Sequence, residues 1–248
     1  MPADDSLELF DVVCPSTGEP LFVSELDKGP EEAGAAAGGG DGSVDAAKGK
    51  TPTSSKRRLT VPRGLAHADG TWHASVYVHL SRAQDGAFLL QRRSSNKDVC
   101  PRLWDLACAE HVASGETRFA AALRGLEEEL GLASVGAERL GRQLGPPRQA
   151  ELRIEAGPSR PLVWDREVVT SYWLRDFEAG KSGKGGESDE NIIKFDEDEV
   201  SEVRWVLPAE LRRETEESPE RFTPWFLAEL RARPELLLPR RQQQQQGG

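Results

Sequence analysis

The chain has 248 residues, 32 of them Lys or Arg against 42 Asp or Glu, for a formal charge of −10. Such acidity speaks against a general nucleic-acid or anionic-membrane binder, although a few local cations can still hold a phosphorylated small molecule. Three cysteines (Cys14, Cys100, Cys108) do not make a disulfide framework, and no apolar run approaches the roughly 20 residues that span a bilayer.

Residues 1–5 read as a disordered start, acidic and without the basic and apolar regions of a signal peptide, so the expected compartment is the cytoplasm. Glu8 to Val13 reads as a short strand, and Pro15-Ser16-Thr17-Gly18 as a turn into Leu21-Phe22-Val23. Residues 28–57 are Gly, Ala, Ser and charge. They cannot bury enough surface to offset their ordering entropy, which predicts a disordered insertion. Val61 to His73 then leads into a strand over Ala74–Leu80, whose alternation puts His73, Ser75, Tyr77 and His79 on one face. Asp85-Gly86 marks a hairpin turn into the strand Ala87–Arg93.

Past the segment Pro101–Val112, one helix stands out. Phe119, Ala122, Leu126 and Leu130 recur at steps of three and four, Thr117 is placed to cap the start, and Gly131 to stop the end. At 100° per residue, Glu128 and Glu129 are expected to point together with position 125, away from the apolar stripe. Paired carboxylates behind a Gly-containing turn suit a hard divalent cation. Strand-like runs follow near Arg139–Gln143, Glu151–Glu155, Val168–Leu174 and Glu199–Val206. Residues 179–190 read as a flexible loop, Pro208 as the start of a short helix, Pro219–Arg233 as a last one, and 234–248 as a disordered Gln-rich tail. One α/β domain over 6–233, interrupted at 28–57 and 179–190, accounts for this pattern.

Glu116, Arg124, Leu126, Glu128-Glu129 and Gly131-Leu132 stand at the spacing of the Nudix box, G-x5-E-x7-R-E-U-x-E-E-x-G-U, which this stretch resembles. The resemblance implies an α/β/α sandwich around a mixed sheet. It also implies a Mg²⁺ or Mn²⁺ ion held by Glu116, Glu128 and Glu129, with Arg124 orienting the glutamates. The stretch departs from the box twice. Glu110 stands where the family has its first Gly, and Gly125 where it has a metal-binding and catalytic Glu. Weakened turnover is therefore expected, and a Glu restored at 125 is expected to raise it.

A second set of residues resembles a narrower branch, the Nudix proteins related to type I isopentenyl-diphosphate isomerase. It comprises Pro62-Arg63, His67, His73, Gln91-Arg92-Arg93, Lys97, Trp104-Asp105, Glu110-His111, Asp165, Glu167 and Phe222-Thr223-Pro224-Trp225-Phe226. By that resemblance His67, His73, His111 and Glu167 match metal ligands, with Asp165 near another, while Arg93 and Lys97 match residues that hold a diphosphate. The isomerase acid/base Cys aligns with Ala109, as in the plant-type hydrolases of the branch, and Cys108 would face the other way. The leading expectation is therefore a metal-dependent hydrolase of a small organic diphosphate, isoprenoid diphosphates included. A non-catalytic module binding a diphosphate ligand or a protein comes second, and an isomerase third. Nothing in the chain points to nucleic-acid or membrane partners, and the oligomeric state is open.

Overall fold

The computed structural model describes residues 8–23, 57–133, 135, 140, 143–155, 162–178 and 193–238. The expected strand at Arg139–Gln143 lies largely outside them, as do nearly all of the 28–57 insertion and the whole of 179–190.

Four short strands come first: β1 (Leu9–Asp11), β2 (Phe22–Val23), β3 (Arg57–Arg58) and β4 (Thr60–Pro62). β1 pairs with β4 and β2 with β3, both antiparallel. Arg57, assigned by composition to the insertion, thus begins a strand. Helix α1 (Arg63–Asp69) follows directly. It is absent from the sequence expectation because its seven residues carry no apolar stripe, and its cap position, Pro62, offers no side-chain acceptor. Packing of the buried Ala66 and contact with a later strand hold it in place.

The main sheet uses β5 (His73–Arg82), β6 (Phe88–Arg93), β7 (Trp104–Asp105), β8 (Cys108–His111), β9 (Arg148–Glu155), β10 (Leu162–Phe177) and β11 (Val200–Val206). Its order is β11-β6-β5-β10-β9, with β5 and β10 parallel and the other neighbours antiparallel. β5 and β6 pair only at Ser81–Phe88 and then part. The segment 104–111 fills the opening, β7 on β6 and β8 on β5. This wedge brings Glu110 and His111 to the middle of the sheet.

Helix α2 (Arg118–Leu130) covers one face and α3 (Pro208–Glu217) with α4 (Pro224–Ala232) the other, giving the expected α/β/α sandwich around a mixed sheet. α2 begins and ends as its residues demand. Thr117 Oγ1 accepts from the amide of Ala120 at 3.1 Å, and Gly131 at φ 66° closes a C-terminal motif in which the Leu132 amide reaches Leu126 O. Ala122, Leu126 and Leu130 are fully buried against Ala74, Val76, Val78 and Leu80 of β5. Burying each Leu contributes about 1.5–3 kcal/mol, and Leu126→Ala is expected to cost about 2–5 kcal/mol. The opposite core takes Tyr77, Leu90, Trp104, Val169 and Phe226. Order continues past Arg233: Pro234–Leu237 form a 3-10 turn because Leu236 is buried in that second core, which corrects the expectation of disorder from 234, and 239–248 lie outside the described residues.

Candidate functional site

Two constellations meet at β8, one on each face of the sheet, because neighbouring residues of a strand point opposite ways. On the α2 face, Arg124 gathers three carboxylates. Its Nε and one terminal nitrogen donate to the two oxygens of Glu116 at 3.1 Å each, and the other terminal nitrogen donates to Glu110 at 2.5 Å and Glu128 at 3.1 Å. Arg124 also donates to the carbonyl of His111 at 2.9 Å, tying the helix to the strand. The bidentate fork suits Arg and would be lost with Lys. Burial works against its charge, but the carboxylates of Glu116 and Glu110 outweigh this and raise its pKa.

The four glutamates are not equivalent. Glu128 lies at the exposed edge, whereas Glu129 is buried under α2, with Gln91 Nε2 donating to it at 2.5 Å. The expectation that 128 and 129 point together is thus corrected: the 100° step between them straddles the boundary between sheet and solvent, and Glu129 falls on the sheet side beside Gly125. Burial pushes the Glu129 pKa well above the usual carboxylate range, and the neighbouring Glu110 charge adds to it. Burial also raises Glu110, against the pull of Arg124. A buried and a half-buried carboxylate that repel each other are a donor set that a divalent cation would complete.

Gly125 has a physical cause. A Cβ there would lie 2.5 Å from Cys108 Sγ and overlap Glu110 Cγ. The helix accepts a residue costing about 1 kcal/mol relative to Ala because the side chain of Glu110 occupies the space.

On the other face, α1, β5, β8 and β10 each contribute to a histidine cluster. Ligand atoms of His67, His73, His111 and Asp165 all lie within 4.8 Å of one another. His73 Nδ1 is 3.0 Å from the carbonyl of Thr71, which places the proton on Nδ1 and turns Nε2 inward. That Nε2 and Asp165 Oδ1 are buried without a hydrogen-bond partner, 3.4 Å apart. Burial, the Arg63 charge and the other histidines hold His111 neutral, the form that ligates metal. Glu167 stands at the flank, 3.6 Å from His111 Nε2, and accepts from Tyr77 at 2.8 Å. Burial and the charge of Asp165 push its pKa up to about 7, against the pull of His73 and Tyr77. Orphaned polar atoms and a mixed imidazole–carboxylate set fit a divalent ion. Phe10 of β1, not singled out from the sequence, closes the cluster by stacking on His73 and lying tilted against His111, each at 4.8 Å.

Arg93 and Lys97 lie within electrostatic reach of Glu129. Lys97 pairs with Glu199. Arg93 is 3.7 Å from the buried Asp105 and stacks 5.1 Å from the Trp225 ring. Asp105 in turn accepts from Thr223 and from Trp225, so one carboxylate aligns the cation and the ring. Its positioning role is invisible in the sequence, where it sits more than 100 residues from Trp225. The fourth histidine, His79, belongs elsewhere, in a buried network around Glu229 of α4.

Comparison with known proteins identifies the family. The NUDIX domain profile matches residues 71–226. An isopentenyl-diphosphate Delta-isomerase of Cereibacter sphaeroides is 33% identical over 180 residues, covering 70% of this chain and 86% of that protein. Nudix hydrolase 3 of Arabidopsis thaliana is 40% identical over 82 residues, 33% of this chain and 11% of its own length. The structure of the dihydroneopterin triphosphate pyrophosphohydrolase of E. coli is 20% identical, covers 61% of this chain and 87% of its own, and superposes with a TM-score of 0.39. Among the described residues, no helix is long and apolar enough to cross a membrane.

Proposed function

The chain belongs to the NUDIX domain family, and on that premise we propose that it hydrolyses a small organic diphosphate, isoprenoid diphosphates included, with Mg²⁺ or Mn²⁺ as cofactor. The observation that carries this reading is the gathering of Glu110, Glu116 and Glu128 on one guanidinium, with Glu129 buried beside them. Glu116, Glu128 and Glu129 would hold the cation of the hydrolytic site, and His67, His73, His111 and Glu167, with Asp165, a second one. Bound there, a divalent cation would neutralise the diphosphate and lower the pKa of an attacking water.

The chain's own residues do the rest. Arg124 keeps the glutamates in register, and Arg93 and Lys97 exchange their present partners, Asp105 and Glu199, for phosphate oxygens. Trp225, fixed by its own hydrogen bond to Asp105, keeps Arg93 from swinging away. Water adds to one phosphorus, the bridging P–O bond breaks, and a monophosphate ester and inorganic phosphate leave. The isomerase reading lacks its acid/base group. Ala109 sits on the histidine face, while Cys108 is fully buried toward α2, where burial pushes its thiol pKa well up.

The test is phosphate release from isopentenyl diphosphate with Mn²⁺, alongside conversion to dimethylallyl diphosphate. Release that falls at least about 100-fold in Glu129→Gln, as expected on losing a catalytic carboxylate, supports hydrolysis. Interconversion without release would establish the isomerase instead. Tight binding of a non-hydrolysable diphosphate with neither reaction would point to a non-catalytic module.

A further inference from the structure

We infer that Glu110 of β8 supplies the carboxylate that the box lacks at position 125, so that this chain has exchanged a glycine on the strand and a glutamate on the helix for the reverse pair. The inference rests on the hydrolytic reading above and concerns which residue completes its cation site. Three observations carry it. The side chain of Glu110 fills the volume into which a side chain at 125 would project, overlapping a Cβ there at its own Cγ. Its carboxylate ends on the same terminal nitrogen of Arg124 that holds Glu128, at 2.5 Å and 3.1 Å. Finally, β8 pairs with β5 in a register that turns Glu110 toward α2 and His111 away, so the carboxylate approaches from the sheet instead of the helix.

The glycine is therefore a condition for Glu110, and the box is rearranged and still complete in carboxylates. The earlier expectation about Gly125→Glu reverses. A second carboxylate in an occupied space would crowd Glu110 and Cys108, lowering the melting temperature without raising turnover.

The test is Mn²⁺ binding by calorimetry to the full chain after one equivalent of Zn²⁺ has filled the histidine cluster, whose imidazoles favour it. Glu110→Gln should weaken Mn²⁺ at least tenfold, and Glu110→Gly equally. The triple variant Glu110→Gly, Gly125→Glu and Cys108→Ala, which also clears the sulfur 2.5 Å from a Cβ at 125, should return to within about threefold of Cys108→Ala alone. A merely structural role for Glu110 predicts no such rescue. Mn²⁺ affinity of Glu110→Gln within twofold of the wild type, or a triple variant no tighter than Glu110→Gly with Cys108→Ala, would overturn the inference. Should Glu110→Gln not fold, Glu110→Asp, which keeps the charge but withdraws it by one methylene, reads the same affinity and should also weaken it. Glu129→Gln separates the two levels. If it weakens Mn²⁺ while Glu110→Gln does not, only the inference falls; if neither does, the hydrolytic reading falls with it.

Discussion

Glu229 and Glu129 are both buried carboxylates, each under a helix and on opposite faces of one sheet, yet their surroundings treat their charge in opposite ways. Around Glu229, Arg148 donates at 2.6 Å, Ser171 at 2.6 Å and Arg233 at 3.1 Å, with His79 Nε2 at 3.4 Å. Burial alone would raise its pKa, but the hydrogen bond to His79 and the charges of His79 and Arg148 outweigh that and hold it at about 2. Among the described residues, Glu129 has only the side-chain amide of Gln91 as a close donor, and Glu110 opposes its ionisation. The protein neutralises the carboxylate that fastens α4 to the sheet with its own cations. Among the described residues it leaves Glu129 without a cation in contact, the condition under which a cation from solution has most to contribute.

The largest effect that would test this contrast is on stability. Glu229→Gln leaves Arg148 and Arg233 buried without their counter-charge and should cost about 3–5 kcal/mol, read by urea unfolding. Next comes acid. A carboxylate with a depressed folded pKa contributes stability that is complete above its unfolded value and lost as pH falls toward the folded one. Stability should therefore drop by about 3 kcal/mol between roughly pH 4.5 and pH 2, and Glu229→Gln should flatten that slope. Third, with the histidine cluster filled by Zn²⁺, Mn²⁺ at about 100 times its dissociation constant should add about 2.7 kcal/mol. Replacing both Glu128 and Glu129 by Gln should abolish that gain. An unchanged gain would remove the cation from the α2 face. The smallest effect has the opposite sign to the first. Without metal at pH 8, Glu129→Gln should be neutral or stabilising by about 1 kcal/mol or less, since it removes a charge that burial and Glu110 disfavour. A loss as large as that of Glu229→Gln would erase the distinction between the two sites.

Features set by near neighbours in the chain were legible before any coordinates. The stripe of α2, its Thr117 cap and Gly131 stop, and the alternation of β5 depend on residues a few positions apart, and all four are present. Helix α1 was not legible, since its reason to exist is the surface on which Ala66 packs. The spacing of the glutamates is a property of the sequence, but their directions are not. Periodicity fixes the angle between Glu128 and Glu129, and only the packing of Gly125 against β8 decides which of them turns under the helix.

The histidines divide in the same manner. His67, His73 and His111 came forward through a resemblance, but nothing local distinguishes them from His79, which shares a strand face with His73 and ends in the Glu229 network. By itself the sequence determined helix α2, the longer strands such as β5 and β6, the family motif and an inventory of acids, bases and imidazoles. The tertiary structure alone decided which of those charges are answered by the protein and which are left open. That outcome depends on distances between segments up to 150 residues apart and on the solvent excluded between them, and neither is a property of the chain taken in order.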